Sequence, residues 1–200
     1  MAAKRKPAEA IEPPGAKARI EKAALDLFVA RGVDAATTRE IAAAAGVSEG
    51  AIYRHFDSKD ELAAAMFLSI HLRLAKLVRE AARSKGGIAE QTAAIVDAYC
   101  ATADADFPLF TFHLLYAHRF LPTPAGVENP VDAVEGIIEA AMRRREIARG
   151  EPGFIAGMAL GIVLQTALQI HYGRIAGPLS HYANDLVIAA LAVMRPLSRR

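Results

Sequence analysis

The amino-acid sequence predicts an all-α fold, with a short three-helix unit followed by a longer helical unit. The chain is rich in alanine and 53% hydrophobic, a composition that favours helices. Apolar residues recur every three or four positions along most of the 200 residues. Glycine and proline interrupt these runs at intervals, and no segment shows the alternating pattern of a strand.

The first predicted helix follows a charged arm. Residues 1–15 carry three prolines among charged side chains and are predicted to be disordered. A helix then runs to Gly32, because five apolar residues fall on one helical stripe: Ile20, Ala23, Ala24, Leu27 and Phe28. We assign residues 16–62 to one domain and residues 63–200 to a second.

Two short helices joined by a glycine-containing turn are predicted next. Thr37-Thr38-Arg39-Glu40 matches a capping box, in which a threonine hydroxyl and the glutamate satisfy free backbone amides. The helix it opens spans about 38–45, and Gly46 suits the left-handed conformation of a C-terminal cap. Ser48 is the predicted N-cap of the helix that follows. Two short helices with this spacing form a helix-turn-helix.

Residues 46–50, Gly-Val-Ser-Glu-Gly, also match the G-x-S-x-G pattern of a serine-hydrolase nucleophile elbow. That motif requires a buried strand immediately before the serine. Here Ile41 is followed by four alanines, and alanine favours a helix and disfavours a strand. We therefore predict that the chain is not an enzyme.

The second short helix suits the major groove of DNA, because its N-terminus is free to point into the groove. The formal net charge is only +2, so the prediction depends on the placement of side chains. Gly50 and Ala51 are small and allow the backbone to approach DNA closely. Tyr53, His55 and Lys59 offer hydrogen-bond donors to phosphate oxygens.

Glu49 has two interpretations at the start of this helix. Its carboxylate could accept a hydrogen bond from cytosine N4, or it could remain solvated as an unfavourable neighbour of phosphate and read no base. In the second case Arg54 is the stronger contact. Phe56 is predicted to be a core aromatic, whereas Tyr53 is expected to face DNA.

A set of residues at fixed spacing runs through positions 16–62: Ile20, Ala23, Ala24, Leu27, Phe28, Gly32, Thr37, Thr38, Ile41, Ala42, Ala45, Gly46, Val47, Ser48, Gly50, Tyr53, His55, Phe56, Lys59 and Leu62. With this set the segment resembles the N-terminal domain of the TetR (tetracycline-repressor) family of transcriptional regulators. The rest of the chain has no diagnostic motif.

The resemblance implies a homodimer that binds a palindromic double-stranded DNA operator, with a helical second domain for dimerisation and for a small-molecule effector. We expect a repressor that a small apolar or aromatic molecule releases from DNA. Carried over by position, the DNA-binding residues are Thr38, Arg39, Ser48, Glu49, Gly50, Ala51, Tyr53, Arg54, His55 and Lys59. A helical binding protein whose helix-turn-helix does not touch DNA is the alternative.

The second domain is predicted to consist of further helices. Ser58-Lys59-Asp60-Glu61 is a second capping box and opens a long helix to about residue 83. Five helices follow, over about 88–103, 107–119, 130–148, 152–172 and 180–195. The third of these five helices, 130–148, carries Arg143-Arg144-Arg145 near its end, where the helix dipole favours cations.

Residues 153–170 contain no charged side chain, a length close to that of a membrane span. Gln165, Thr166 and Gln169 are costly in lipid, and no second clear span exists. A helix buried at a subunit interface explains the same pattern. We expect residues 186–194 to supply its partner, so that two copies form a four-helix bundle and the chain does not enter a membrane.

A ligand pocket in this domain should combine apolar walls with a few polar groups. The candidates are Tyr99, Phe107, Phe110, His113, Leu114, Met142, Met158, Gln165 and Gln169, and for each of them taken alone ordinary core packing is the favoured interpretation. No pattern for a metal site or cofactor is found. One cysteine, Cys100, permits no intrachain disulfide, and the N-terminus lacks the apolar core of a signal peptide, so a cytoplasmic location is expected.

Overall fold

The computed structural model describes residues 15–83, 86–123 and 125–194, and these residues form helices with no β-strand among them. The predicted all-α fold is confirmed. The chain divides into two compact units, with the boundary between Leu62 and Ala63. The predicted disordered arm lies, apart from Gly15, outside the described residues.

The first unit contains α1 (Ala16–Arg31), α2 (Thr38–Ala45) and α3 (Glu49–Tyr53). The stripe predicted on α1 supplies its core, because Ile20 and Phe28 are almost completely buried. Ile41 of α2 and Ile52 of α3 are likewise without exposed area. Phe56, which follows α3, is buried as expected. Burial of these apolar groups supplies most of the stability of such a small unit.

Local capping signals fix the ends of the short helices. The Thr37 hydroxyl accepts a hydrogen bond from the Glu40 N–H at 3.2 Å, and the Glu40 carboxylate accepts one from the Thr37 N–H at 3.0 Å. The predicted capping box is therefore formed in both directions. Gly46 ends α2 with φ 63° and ψ 41°, the left-handed conformation that glycine adopts without strain. Ser48 occupies the N-cap of α3, but its side chain makes no capping hydrogen bond.

The second unit is built from the longer helices. α4 (Lys59–Ala81) begins in the first unit and continues into the second. It is followed by α5 (Ile88–Ala105), α6 (Phe107–Phe120), α7 (Pro130–Arg143), α8 (Pro152–His171), a 3-10 turn (Leu179–Tyr182) and α9 (Ala183–Met194). α8 packs against α7 and α9, and α5 packs against α9. The core of this unit includes Val96, Phe110, Ile138 and Ala156.

α7 ends five residues earlier than predicted, because of a backbone conformation that the apolar pattern of the sequence does not indicate. Arg144 is the C-cap and Arg145 adopts φ 58°, so the chain leaves the helix in a left-handed residue. The Arg145 N–H donates to the Met142 carbonyl at 3.1 Å, and the Glu146 N–H donates to the Ala141 carbonyl at 2.9 Å. These bonds satisfy carbonyls that the last turn would otherwise leave free.

α8 is apolar and only partly covered. By length and composition it could cross a membrane, and 28% of its most apolar window is buried within this chain. One helix of this kind is weak evidence for a membrane span, since core helices of other proteins meet the same criterion. Phe154 on α8 and Ile188 on α9 are each about two-thirds exposed, at 65% and 66%. The chain thus presents apolar side chains on these two neighbouring helices.

Candidate nucleic-acid interface

The turn between α2 and α3 is held by backbone hydrogen bonds. The Val47 N–H donates to the Ala42 carbonyl at 3.0 Å, and the Ala51 N–H donates to the Ser48 carbonyl at 2.9 Å. Both α2 and α3 pack on α1. The three helices therefore form a helix-turn-helix whose second short helix is held firmly in place.

A polar cluster joins the beginnings of these two helices. The Thr38 hydroxyl donates to Glu49 Oε1 at 2.5 Å and lies 3.4 Å from the Tyr53 hydroxyl. Thr38 begins α2, whereas Glu49 and Tyr53 belong to α3. Three of the predicted DNA-binding residues are thus brought into one cluster. Because the Thr38 hydroxyl occupies one Glu49 oxygen, that carboxylate is held by its own domain.

Most of the other predicted DNA-binding residues lie on the surface of the first unit. Tyr53 is 52% exposed, so its phenol is accessible to a partner outside the domain. Five further predicted residues are also exposed: Arg39, Ser48, Gly50, Arg54 and His55. The surface around α3 therefore carries two arginines, a histidine and the hydroxyl groups of Ser48 and Tyr53, all of which can donate to phosphate oxygens.

The structure corrects the prediction for Ala51. Its side chain is buried, at 3% exposure, beside the equally buried Ile52. It therefore packs inside the domain and is not open to a groove. The physical reason is that successive residues of a helix point in different directions. Of the two small residues in α3, Gly50 faces solvent, and Ala51, one position further on, faces the core.

Lys59 makes structural hydrogen bonds that the sequence did not predict. Its ammonium donates to the carbonyls of Asp34 and Ala36, at 3.1 and 2.7 Å. These carbonyls lie in the loop between α1 and α2, so Lys59 fixes that loop. An ammonium has three N–H donors, and a phosphate contact by Lys59 would have to use the one that remains.

A second polar pair, also missed by the sequence reasoning, joins α1 to α2. Arg31 Nη1 lies 3.0 Å from Glu40 Oε1. The hydrogen bonds from Thr37, and to a smaller extent from Arg31, lower the pKa of the Glu40 carboxyl. Glu40 therefore remains ionised in its capping role throughout the neutral range.

The ligand-binding candidates are scattered over the second unit. Only Tyr99 lines the interior apolar cavity, together with Val96, Ile138, Leu160, Val163 and Met194 among others. Burial raises the pKa of the Tyr99 hydroxyl, which stays protonated. Phe110 is fully buried and packs edge-on against Tyr99, with ring centroids 6.2 Å apart. Thr92, which the sequence did not suggest, lines the same cavity and donates to the Ile88 carbonyl at 2.7 Å.

The remaining candidates do not line this cavity. Met142 and Met158 line two other depressions of the second unit. Gln165 is exposed on the surface of the second unit, which corrects its assignment to a pocket wall. The reason is that α8 is covered on only part of its circumference. Three candidates are half-buried outside the cavity: Phe107, Leu114 and Gln169.

His113 instead belongs to a buried aromatic cluster. Its Nε2 lies 3.0 Å from His71 Nδ1, and both rings stack on Phe67, at 4.8 and 5.4 Å between centroids. Burial, and to a smaller extent the neighbouring His71, lower the pKa of His113 to about 3. Burial also lowers the pKa of His71, against a smaller opposing effect of Asp132. Both imidazoles are therefore neutral near pH 7.

The structure argues against the nucleophile elbow. Residues 38–45 form a helix directly before Gly46, where an elbow requires a strand. Among residues 15–83, 86–123 and 125–194, no group of three or more potential metal ligands is found. A serine that follows a helix and a glycine turn therefore lacks the strand-to-helix backbone of a nucleophile elbow.

Comparison with known proteins agrees with this arrangement. Residues 20–66 match the model of the bacterial regulatory proteins of the tetR family. The transcriptional repressor Rv3405c of Mycobacterium tuberculosis is 40% identical over 65 residues, which are 32% of this chain and 35% of that protein. The regulator SrpR of Pseudomonas putida is 51% identical over 51 residues, 26% of this chain and 24% of that protein. The chain thus matches about a third of the length of the first of these relatives.

Solved structures match over nearly the whole chain. The fatty acid degradation regulator FadR of Bacillus halodurans has a TM-score of 0.76 and 16% identity, covering 94% of this chain and 100% of that one. A tetR-family protein from Rhodococcus RHA1 has a TM-score of 0.75 and 24% identity, covering 93% and 100%. At these identities the similarity shows the fold of both units, including the second one, which has no sequence motif.

Proposed function

We propose that this chain is a ligand-responsive transcriptional repressor. The premise is that it belongs, through residues 20–66, to the tetR family of bacterial regulatory proteins. Proteins of this family bind DNA and are not enzymes, so Ser48 is a helix N-cap and not a nucleophile. We place the protein in the cytoplasm, where its operator would be accessible.

The observation that carries the proposal is the exposed polar surface around α3. The phenol of Tyr53 is half exposed, although Ala51 and Ile52, which precede it in α3, pack into the domain. Arg39, Arg54 and His55 lie in the same exposed segments of the helix-turn-helix. These donors suit phosphate oxygens on both sides of a major groove, while Ser48 and Gly50 are at the end of α3 that enters it.

A gel shift tests DNA binding directly. The full chain is titrated against the double-stranded DNA upstream of its own coding sequence, at two or more salt concentrations. We expect a complex that weakens as salt rises, because phosphate contacts release counterions. Tyr53→Phe should weaken binding to all DNA sequences alike. Absence of any salt-dependent complex would favour a helical binding protein that does not touch DNA.

We propose a homodimer formed through α8 and α9. The carrying observation is the apolar surface of these helices, on which Phe154 and Ile188 are about two-thirds exposed. A second copy would cover this surface in a four-helix bundle, which explains the length and apolarity of α8 without a membrane. The α3 helices of the two copies would then read half-sites of a palindrome ~34–36 Å apart. Sedimentation of the wild type and of Phe154→Glu tests this, with the variant expected to be monomeric.

The effector is proposed to be a small apolar or aromatic molecule bound in the second unit. The cavity beside Tyr99 is lined almost entirely by apolar side chains and has a volume of only about 30 Å³. An effector therefore requires α5, α8 and α9 to move apart. A ligand that binds only this expanded state would shift the population away from the state described here, and operator affinity would change by that difference.

A neighbouring fold indicates what such a unit can hold. The FadR of Bacillus subtilis, with a TM-score of 0.75 and 17% identity, was solved in complex with stearoyl-CoA. The effector proposal is tested by adding candidate apolar and aromatic molecules to the preformed operator complex. Release by a molecule that also binds the free protein supports it, and release by no molecule that binds the second unit would contradict it. A reporter gene under the operator separates repression from activation.

A further inference from the structure

We propose that Arg143, Arg145 and Arg149 form an anion-binding site at the end of α7, and that the effector is an apolar chain carrying an anionic group at one end. The shared chemistry of that group is a carboxylate or a phosphate. This inference rests on the proposed function, because it names the chemical class of the effector that the second unit would bind.

The three arginines line one open groove, which we call the arginine groove. Its other walls are Met142, Ile147 and Ala148, and its volume is about 560 Å³. Ile147 is buried, at 1% exposure, and anchors the loop that carries the arginines. The groove therefore has a fixed apolar floor and charged sides, which suits a molecule with both characters.

Arg144, the middle residue of the three consecutive arginines, is paired within the protein and orients the loop. Arg144 Nε donates to Glu146 Oε1 at 2.7 Å, and its Nη2 donates to Glu146 Oε2 at 3.1 Å and to Gln91 Oε1 at 3.3 Å. Glu146 also accepts a hydrogen bond from the Ile88 N–H at 2.8 Å. Arg144 and Glu146 thus bind the loop to the start of α5 and neutralise each other.

The three groove arginines are less well neutralised. Arg143 lies 3.4 Å from Glu139, but both side chains are largely exposed and such a pair is weak. Within the described parts of the chain, neither Arg145 nor Arg149 is paired with a carboxylate. Glu151 is the acidic residue that lines the adjoining depression, together with Arg149. The groove retains a surplus of positive charge that an anionic group would satisfy.

Arg145 stands in a backbone conformation that costs free energy. With φ 58° it is, among the described residues, the one non-glycine residue with positive φ. This position follows the C-cap of α7, where glycine is the usual residue because it has no Cβ. A strained residue at a position that glycine would fill without strain indicates that its side chain has a function.

Shared lining residues lead from the arginine groove to the apolar interior. Ala148 and Arg149 line both the arginine groove and the adjoining depression, whose other walls include Met158 and Met194. Met194 in turn lines the interior cavity beside Tyr99. Methionine side chains adapt readily to new shapes, so an apolar chain could open this path from the groove inward.

The guanidinium groups explain why the charged end should be a carboxylate or a phosphate. Arginine presents parallel N–H donors that match two oxygens of either group. An uncharged molecule with the same chain would gain the apolar contacts only. The effector is therefore expected to be elongated, aliphatic and anionic at one end.

Calorimetric titration of the full chain with three ten-carbon probes tests the inference. Decanoate and decyl phosphate carry the anion, and decan-1-ol is the uncharged probe of equal length. We expect at least one anion to bind about ten-fold or more tightly than decan-1-ol, as charge-assisted hydrogen bonds predict. The stronger of the two anions distinguishes a carboxylate from a phosphate. Equal affinity for all three probes would overturn the proposal.

Variants of Arg145 separate the charge from the fold. Arg145→Gly should leave the Tm unchanged or raise it, because the strain is relieved, while affinity for the anion falls about ten-fold. Arg145→Lys should retain a larger part of that affinity than Arg145→Gly. The matched control is Arg174→Ala, beyond the other end of the 20-residue α8 and so ~30 Å away along the helix. An equal loss in this control would show a general charge effect and overturn the site.

Failure of this inference is distinguishable from failure of the proposed function. A salt-dependent operator complex together with equal binding of all three probes would leave the regulator intact and remove the anion site. Arg145-dependent anion binding without any operator complex would retain the site and contradict the proposed function.

Discussion

The hydroxyl of Thr38, the first residue of α2, donates a hydrogen bond of 2.5 Å to the carboxylate of Glu49, the first residue of α3. The two residues are eleven positions apart, and both lie at the N-terminal ends that a helix-turn-helix presents to DNA. This contact favours one of the two sequence-based interpretations of Glu49. A carboxylate held by its own domain connects two helices, and its charge would oppose the phosphates of bound DNA.

We therefore predict that Glu49→Gln strengthens DNA binding without changing sequence preference. The amide can still accept from Thr38, whereas the negative charge beside the phosphates is removed. Affinity should rise roughly three- to ten-fold at low salt and less at high salt, because screening weakens the repulsion. Fluorescence anisotropy on an operator and on a set of single-base variants measures both properties. A selective loss at one C·G pair would instead show that Glu49 reads cytosine.

The capping residues of the two short helices should differ in their effect on stability. Thr37→Ala removes the hydroxyl that accepts from the Glu40 N–H, and should lower the free energy of unfolding by about 1 kcal/mol. Ser48→Ala is the matched comparison, because the Ser48 side chain makes no capping bond, and should cost much less. Urea unfolding of both variants measures the difference. Equal losses would mean that Ser48 caps α3 in solution.

Local signals in the sequence predicted the capping box and the glycine turn because the bonds that form them join residues a few positions apart. Side chains whose surroundings depend on distant residues were not predictable in this way. The helical pattern continued through Arg144 and Arg145, but the buried Ile147 and the bonds from Arg144 to Glu146 and Gln91 end α7 earlier.

The candidate sites show the same limit. His113 was a plausible pocket residue from composition alone. Its actual partner, His71, lies 42 positions earlier, and no short-range pattern indicates that pair. Ala51 and Gly50 are both small, and only the packing of the short α3 decides which one is buried.

The buried histidine pair should make stability depend on pH. The pKa of His113 in the folded protein, about 3, lies below its value of about 6.5 in an unfolded chain. The unfolded state therefore binds more protons between these values. The contribution of His113 to the free energy of unfolding is therefore complete above about pH 6.5. It decreases as the pH decreases toward 3, by at most about 1.4 kcal/mol per pH unit.

Unfolding measured from pH 7.5 to 5 tests the histidine prediction. The double variant His71→Leu and His113→Phe removes both imidazoles and should flatten this dependence. His118→Gln, an exposed histidine on the same helix, is the control and should leave the slope unchanged. An unchanged slope in the double variant would assign the pH dependence to other groups.

Gly50→Ala should separate folding from DNA binding. A Cβ at Gly50 would meet no atom within 4 Å, and the residue lies in α3 with an exposed surface. The fold should therefore gain roughly 0.5 to 1 kcal/mol, as for other glycine-to-alanine changes inside helices. If the backbone approaches DNA at this point, the added methyl group should weaken operator binding about ten-fold or more.

Gly136→Ala on α7, where a Cβ also meets no atom within 4 Å, should stabilise the protein equally and leave DNA binding unchanged. Full operator affinity in Gly50→Ala would show that α3 binds DNA without close backbone approach at this residue.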